Sequence, residues 1–294
     1  MSYYIVTDST CDLPLDQLKA LNVGRAPLVI NFQDGRVLED GFSELNSHEF
    51  FEGMRAGMIS TTSQVNSSTF YTLFCEVLTK YDNVLYIGFS SELSGTFQSA
   101  FLAKSTLEEE DPAWADRIVL IDSLAASVGE GLLVLDACEK RDAGMGFAEL
   151  CQYIESIKLL VNHWFTVDDL VYLKRGGRVS SIAATMGTLL NIKPILQVNN
   201  KGKLVPISKV KGRKKSLVAL VDRFREMYDP AMGKNFILGH GDCKEEALTV
   251  KEALLAEFDL NEPTIVPLGM VIGSHAGPGT ICLCFLGKPR EAFN

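Results

Sequence analysis

Hydrophobic and polar positions along the first half of the chain alternate between two rhythms. Short β-branched runs at Tyr3–Thr7, Ala26–Phe32, Val84–Phe89 and Ile118–Ile121 read as strands, each running into polar or glycine-bearing residues. Ser67–Lys80, Ser94–Glu109 and Leu124–Lys140 carry helical patterns, the last two entered from strand ends. Phe147, Leu150, Cys151, Ile154 and Ile157 recur at helical spacing, which predicts an amphipathic helix over Gly146–Leu160 packed on a core. Strands alternating with helices are the order of βαβ units around a parallel sheet.

From residue 161 the pattern changes. Ile192–Val198 and Lys203–Val210 face each other across Asn199-Asn200-Lys201-Gly202, a hairpin turn that implies antiparallel pairing. Helix Gly212–Tyr228, strand Phe236–Gly239, helix Lys244–Phe258 and strands Thr264–Pro267 and Thr280–Phe285 follow. The fold class is therefore α/β with two domains. Residues 1–160 form a parallel-sheet domain, and 161–294 form an α/β domain with a mixed or antiparallel sheet. No repeat or low-complexity linker separates them, so a shared ligand belongs at their junction.

Composition narrows the function. The chain has 294 residues, 47% of them hydrophobic, more than one ordinary core organises. A net charge of −9 excludes the basic face of a nucleic-acid binder. The opening MSYYIVTDST lacks a secretory signal's basic and apolar regions, which predicts a cytoplasmic protein. No apolar run reaches the roughly twenty residues of a membrane span. Seven cysteines lie scattered in apolar contexts, and Cys282-x-Cys284 has strand spacing; with no CxxC pair, no metal is expected. His48-Glu49-x-x-Glu52 is half a zinc motif without its second histidine and reads as a solvated helix face.

Polar loops carry the candidate chemistry. In "TDSTCDLP" (7–14), Ser9 or Asp12 is placed to cap a helix beginning near Pro14. "ISTTSQVNSS" (59–68) sets Ser60, Thr61, Thr62 and Ser63 before a helix, and "SSELSGTFQSA" (90–100) sets Ser94-Gly95-Thr96 at another strand-to-helix junction. Hydroxyls and backbone N–H groups at such places face an anion. "VIGSHAGPGT" (271–280) places His275, one of four histidines, among small residues. Ser94 with His275 as base is the arrangement of a stand-alone serine hydrolase or acyltransferase, although no GxSxG elbow or orienting acid accompanies them. No phosphate-binding GxxxxGK[ST] loop and no GxGxxG after a strand occurs.

Taken together, "VTDSTCDLP", "TTSQ", "SSELSGTFQSA", "IDS", "LKRGGRVS" (173–180) and "VIGSHAGPGT" resemble, in content and order, the DegV family of bacterial fatty-acid-binding proteins over nearly the whole chain. Val65-Asn66 stands where members often carry Pro-Ser, and Phe97 where Tyr is frequent. The resemblance implies a two-domain α/β protein holding one long-chain fatty acid between its domains, with no cofactor. It implies that Thr62, Ser94 and His275 hydrogen-bond the carboxylate while Ser63, Gly95, Thr96 and Gly277 support the pocket. It further implies a non-catalytic subunit that presents the carboxylate to a separate ATP-dependent fatty-acid kinase for acyl-phosphate formation. The basic runs "LKRGGR" and "KVKGRKKS" then supply docking candidates, Arg175, Arg178 and Arg213.

Overall fold

The computed structural model describes residues 2–41, 45–179 and 191–290; Ser180, which ends the LKRGGRVS motif, lies outside them. The first sheet has the order β2-β1-β6-β7, from strands Val23–Ala26, Tyr3–Asp8, Asn83–Gly88 and Ile118–Asp122. All three pairings are parallel, with Ile5 opposite Val23 and Leu85 opposite Val119. Helices α1 (Leu15–Ala20), α3 (Ser67–Leu78), α4 (Thr96–Glu110), α5 (Val128–Asp142) and α6 (Phe147–Ile157) accompany this sheet.

The second sheet has six strands in the order β10-β9-β8-β13-β11-β12, formed by Leu204–Lys211, Ile192–Val198, Val161–Thr166, Ile281–Leu286, Phe236–His240 and Thr264–Pro267. Every pairing is antiparallel except β11 with β12, so the sheet is mixed. Helices α8 (Arg213–Met227) and α9 (Lys244–Glu257) cover its outer face through Leu220, Phe224, Val250 and Leu254. On its inner face α5 lies between the two sheets. Ile5 and Leu85 of the first sheet, Leu133 and Ala137 of α5, and Val161 and Cys284 of the second share one core. Gly129 makes that approach close, since a Cβ there would stand 1.8 Å from the His163 ring on β8.

Several expectations are corrected. The run Ala26–Phe32 is two strands in different sheets, because Pro27 lacks an N–H and restrains the residue before it. β3 (Val29–Phe32) instead centres a three-stranded antiparallel sheet, β4-β3-β5, with β4 at Val37–Glu39 and β5 at Ser60–Ser63. The hydroxyl run at 60–63 is thus a strand, and Asn66 is the residue that caps α3, accepting the Thr69 N–H. Helix α5 starts at Val128 and not Leu124, because Leu124 and Ser127 hold positive φ values of 49° and 53°. Neither Ser9 nor Asp12 caps α1, whose N-cap is Pro14 with no side-chain bond. Strand β8 and helices α7 (Val171–Arg175) and α10 (Met270–Ala276) are additions to the expected elements. The His48 helix face, α2 (Ser47–Arg55), is ion-paired: His48 Nδ1 lies 2.9 Å from Asp242 Oδ1, and Arg55 bonds both Asp242 and Glu52.

Candidate functional site

Strand β5 has a period of two, so Ser60 and Thr62 turn inward while Thr61 and Ser63 face out. The inward pair meets consecutive residues of α10. Ser60 Oγ lies 2.7 Å from Ser274 Oγ, and Thr62 Oγ1 lies 2.8 Å from His275 Nε2. Ser94 sits just before α4, its Oγ 3.0 Å from Thr96 Oγ1 and accepting the Thr96 N–H at 3.2 Å.

Thr62, Ser94 and His275 line one cavity together with Arg178. Counted with its solvent-open mouth, the space measures about 750 Å³. Most of its remaining wall is apolar and comes from both halves of the chain: Leu28, Phe89 and Leu93 from the first, Phe165, Leu173, Leu204 and Leu268 from the second. Thr10, Ser127 and His163 add further polar groups. The wall was not legible as a set, because its residues come from eight or so separate segments that only tertiary structure joins.

Burial, reinforced by the nearby Arg178 charge, lowers the pKa of His275 to about 4. The ring is therefore neutral at pH 7. Among the described residues its buried Nδ1 has no hydrogen-bond partner, and it faces Gly176, where a Cβ would approach it to 2.1 Å. Thr62 Oγ1 and His275 Nε2 share one hydrogen bond, whose donor is set by the ring tautomer. Arg178 itself donates from Nε to the Leu93 carbonyl at 3.1 Å and from Nη1 to the Gly176 carbonyl. One cation, two hydroxyls and a neutral imidazole make this end of the cavity suited to an anion.

The other expected residues lie around this group, not in it. Thr96 is fully buried and supports Ser94. Gly95 admits Gln64, whose Oε1 would lie 2.1 Å from a Cβ there, and Gln64 Nε2 donates to Ser99 Oγ at 2.9 Å. Gly277 has φ +82° and packs on the Tyr172 ring. Ser63 points away and accepts from Asn31 Nδ2 at 3.0 Å. Arg175 is exposed beside the Tyr172 ring at 5.7 Å. Arg213 is half-buried and committed to Glu246 and the Gly279 carbonyl, so it does not project as a free docking cation. Val65, at one departure from the family pattern, is buried, and Phe97, at the other, stacks on Tyr86 with centroids 6.3 Å apart. Among the described residues no helix is long and apolar enough to cross a membrane.

Fold and cavity together define a two-domain α/β protein with an apolar pocket closed at one end by hydroxyls, an imidazole and a guanidinium. The chain belongs to the DegV family, whose model, described as that of an uncharacterised protein family, matches residues 2–288. It is 39% identical over 289 residues to a DegV domain-containing protein of Clostridium perfringens, spanning 98% of this chain and 99% of that one. A structure showing fatty acid binding by a DegV family protein of Thermus thermophilus superposes with a TM-score of 0.86 at 32% identity, over 98% of this chain and 100% of the other. DegV of Bacillus subtilis, a fatty acid binding protein, superposes with a TM-score of 0.83 at 32% identity and the same coverage.

Proposed function

We propose that this protein binds one long-chain fatty acid between its two domains, residues 1–160 and 161–294, and presents the carboxylate to a separate ATP-dependent kinase subunit for acyl-phosphate formation. The observation that carries the reading is the gathering of Thr62, Ser94 and His275, with Arg178, on one cavity whose remaining wall is mostly apolar. The fatty acid ligands of the T. thermophilus and B. subtilis relatives support it. Each buried methylene contributes ~0.8 kcal/mol, so the chain supplies most of the affinity and the polar end supplies orientation. Arg178 offsets charge at the carboxylate, and the exposed Arg175 is the docking candidate for the partner. The alternative of a hydrolase needs Ser94 bonded to His275. Instead Ser94 bonds Thr96 and His275 bonds Thr62, and no carboxylate holds Nδ1 among the described residues.

The test is organic extraction of the purified protein with mass spectrometry, followed by titration of stripped protein with oleate and an esterase assay. Near-stoichiometric fatty acid without esterase turnover is expected. Lipid-free protein that ignores oleate, or one that hydrolyses p-nitrophenyl esters through Ser94, overturns the reading. ATP-dependent acyl-phosphate formation on adding a fatty-acid kinase subunit tests the second half of the proposal.

A further inference from the structure

The seven-residue helix carrying His275 begins against two carboxylates from the other half of the chain. Asp12 Oδ1 accepts the Gly269 N–H at 2.9 Å, and Asp40 Oδ1 accepts the Met270 N–H at 3.2 Å. Both side chains are buried, at 7% and 2% exposure. Asp12 takes a further bond of 2.5 Å from Ser127 Oγ, while Ser9 bonds the Asp40 side chain and Arg25 donates to the Asp40 carbonyl at 2.7 Å. The N-cap residue of α10 is Gly269, which has no side chain to cap with. A Cβ there would stand 2.7 Å from Asp12 Oδ1, so glycine is what admits the carboxylate.

We infer that Asp12 and Asp40 are positioning residues for His275. Two buried carboxylates are costly unless backbone donors and positive charge meet them, and here the first N–H groups and the positive end of α10 do so. The clamp reaches His275 because α10 is under two turns long and moves as a rod. Its middle is fixed as well: Ser274 bonds Ser60, and Gly273 packs on the Phe51 ring, where a Cβ would approach to 2.8 Å. Slippage at the helix start of about 1 Å carries the 2.8 Å Thr62–His275 contact beyond hydrogen-bond range. This inference rests on the fatty-acid reading only for its consequence in binding, since the contacts of Asp12, Asp40 and His275 are made within the chain.

The experiment observes the His275 ring by NMR in ¹³C-histidine-labelled, lipid-free protein, and the headgroup by adding [1-¹³C]oleate. Asp40→Ala is expected to move the His275 resonance and to weaken oleate binding roughly tenfold. Asp40→Asn, whose amide oxygen still accepts the Met270 N–H, is expected to restore most of both. Gly269→Ala, which leaves both carboxylates in place and crowds Asp12, is expected to move the same resonance, and it decides the matter if Asp40→Ala does not fold. Leu254→Ala, on the buried face of α9, controls for lost stability alone. A His275 ring unmoved by Asp40→Ala or Gly269→Ala, or moved equally by Leu254→Ala, overturns the inference. Wild-type protein that ignores oleate overturns the fatty-acid reading while leaving the ring measurement to judge the clamp.

Discussion

Thr62 Oγ1 and His275 Nε2 lie 2.8 Å apart although 213 positions separate them in the chain. The bond joins the small sheet of the first half to a short helix of the second, so the polar end of the cavity exists only when both halves are folded together. A strand's period of two and a helix's neighbouring residues meet here: Ser60 finds Ser274 as Thr62 finds His275.

Thr62→Val keeps the shape and removes the hydroxyl, so it tests that bond directly. Losing one hydrogen bond to a charged group costs about 1.5–3 kcal/mol, an order of magnitude or more in oleate affinity, while the acyl contacts persist. Ser94→Ala is expected to act similarly. The double variant should lose less than the sum, because both hydroxyls serve one carboxylate. Calorimetric titration of stripped protein checks this, and strict additivity counts against a shared ligand group.

What the sequence revealed of this arrangement depended on whether the deciding interactions were local. The bounds of β9 follow from a β-branched run ended by an Asn-Asn-Lys-Gly turn, and those interactions lie within a dozen residues. Strand β8, VNHWFT, went unread although it is the fully buried centre of the second sheet, because Asn162, His163 and Thr166 break any apolar rhythm. Thr62 and His275 were legible as polar residues in motif-bearing segments, yet neither segment was legible as strand or helix. The run VIGSHA has the composition of a loop and becomes helical where carboxylates from residues 12 and 40 meet its first N–H groups. No local pattern reports such partners.

Acid sensitivity follows from His275. Its pKa is about 4 in the folded protein against roughly 6.5 unfolded, so between these values the unfolded chain binds more protons. The neutral-ring contribution is complete above pH 6.5 and is lost as pH falls toward 4, amounting to about 2 kcal/mol at pH 5. His163, also shifted down by burial, acts in the same direction. Asp40, raised to about 6 by burial, acts oppositely, stabilising the fold as pH falls through that value. The His275 share is therefore isolated by comparing melting of the wild type and His275→Gln at pH 7.5 and pH 5. The wild type should lose more; parallel losses contradict the shift.

Gly176→Ala separates helix propensity from site geometry. Gly176 has φ −72° and ψ −12°, a helical conformation in which alanine is favoured by up to ~1 kcal/mol. Its Cβ would nevertheless stand 2.1 Å from His275 Nδ1. Overpacking of this kind costs about 1–3 kcal/mol, so the ring must move or the stability must fall. Weaker oleate binding with a shifted His275 resonance is expected. Unchanged binding would mean the ring tolerates displacement and does not hold the headgroup.

Of the three arginines expected at a docking surface, Arg178 lines the cavity, and Arg175 and Arg213 should behave differently from each other. Arg213 Nε donates to Glu246 Oε2 at 2.9 Å and its Nη2 donates to the Gly279 carbonyl at 2.5 Å, tying α8 to α9 and to the turn after α10. Arg213→Ala strands a carboxylate and a carbonyl together, and a loss of about 1–3 kcal/mol in stability is expected, visible as a lowered melting temperature. Arg175 is exposed, and among the described residues it lies beside the Tyr172 ring, so Arg175→Gln should leave melting and oleate affinity at wild-type values. With a kinase subunit present, Arg175→Gln should slow acyl-phosphate formation, and the defect should shrink as salt is raised, because electrostatic steering is screened. Arg213→Ala should instead respond to temperature more than to salt. If Arg175→Gln supports unchanged turnover at low salt, the docking surface lies elsewhere on the molecule.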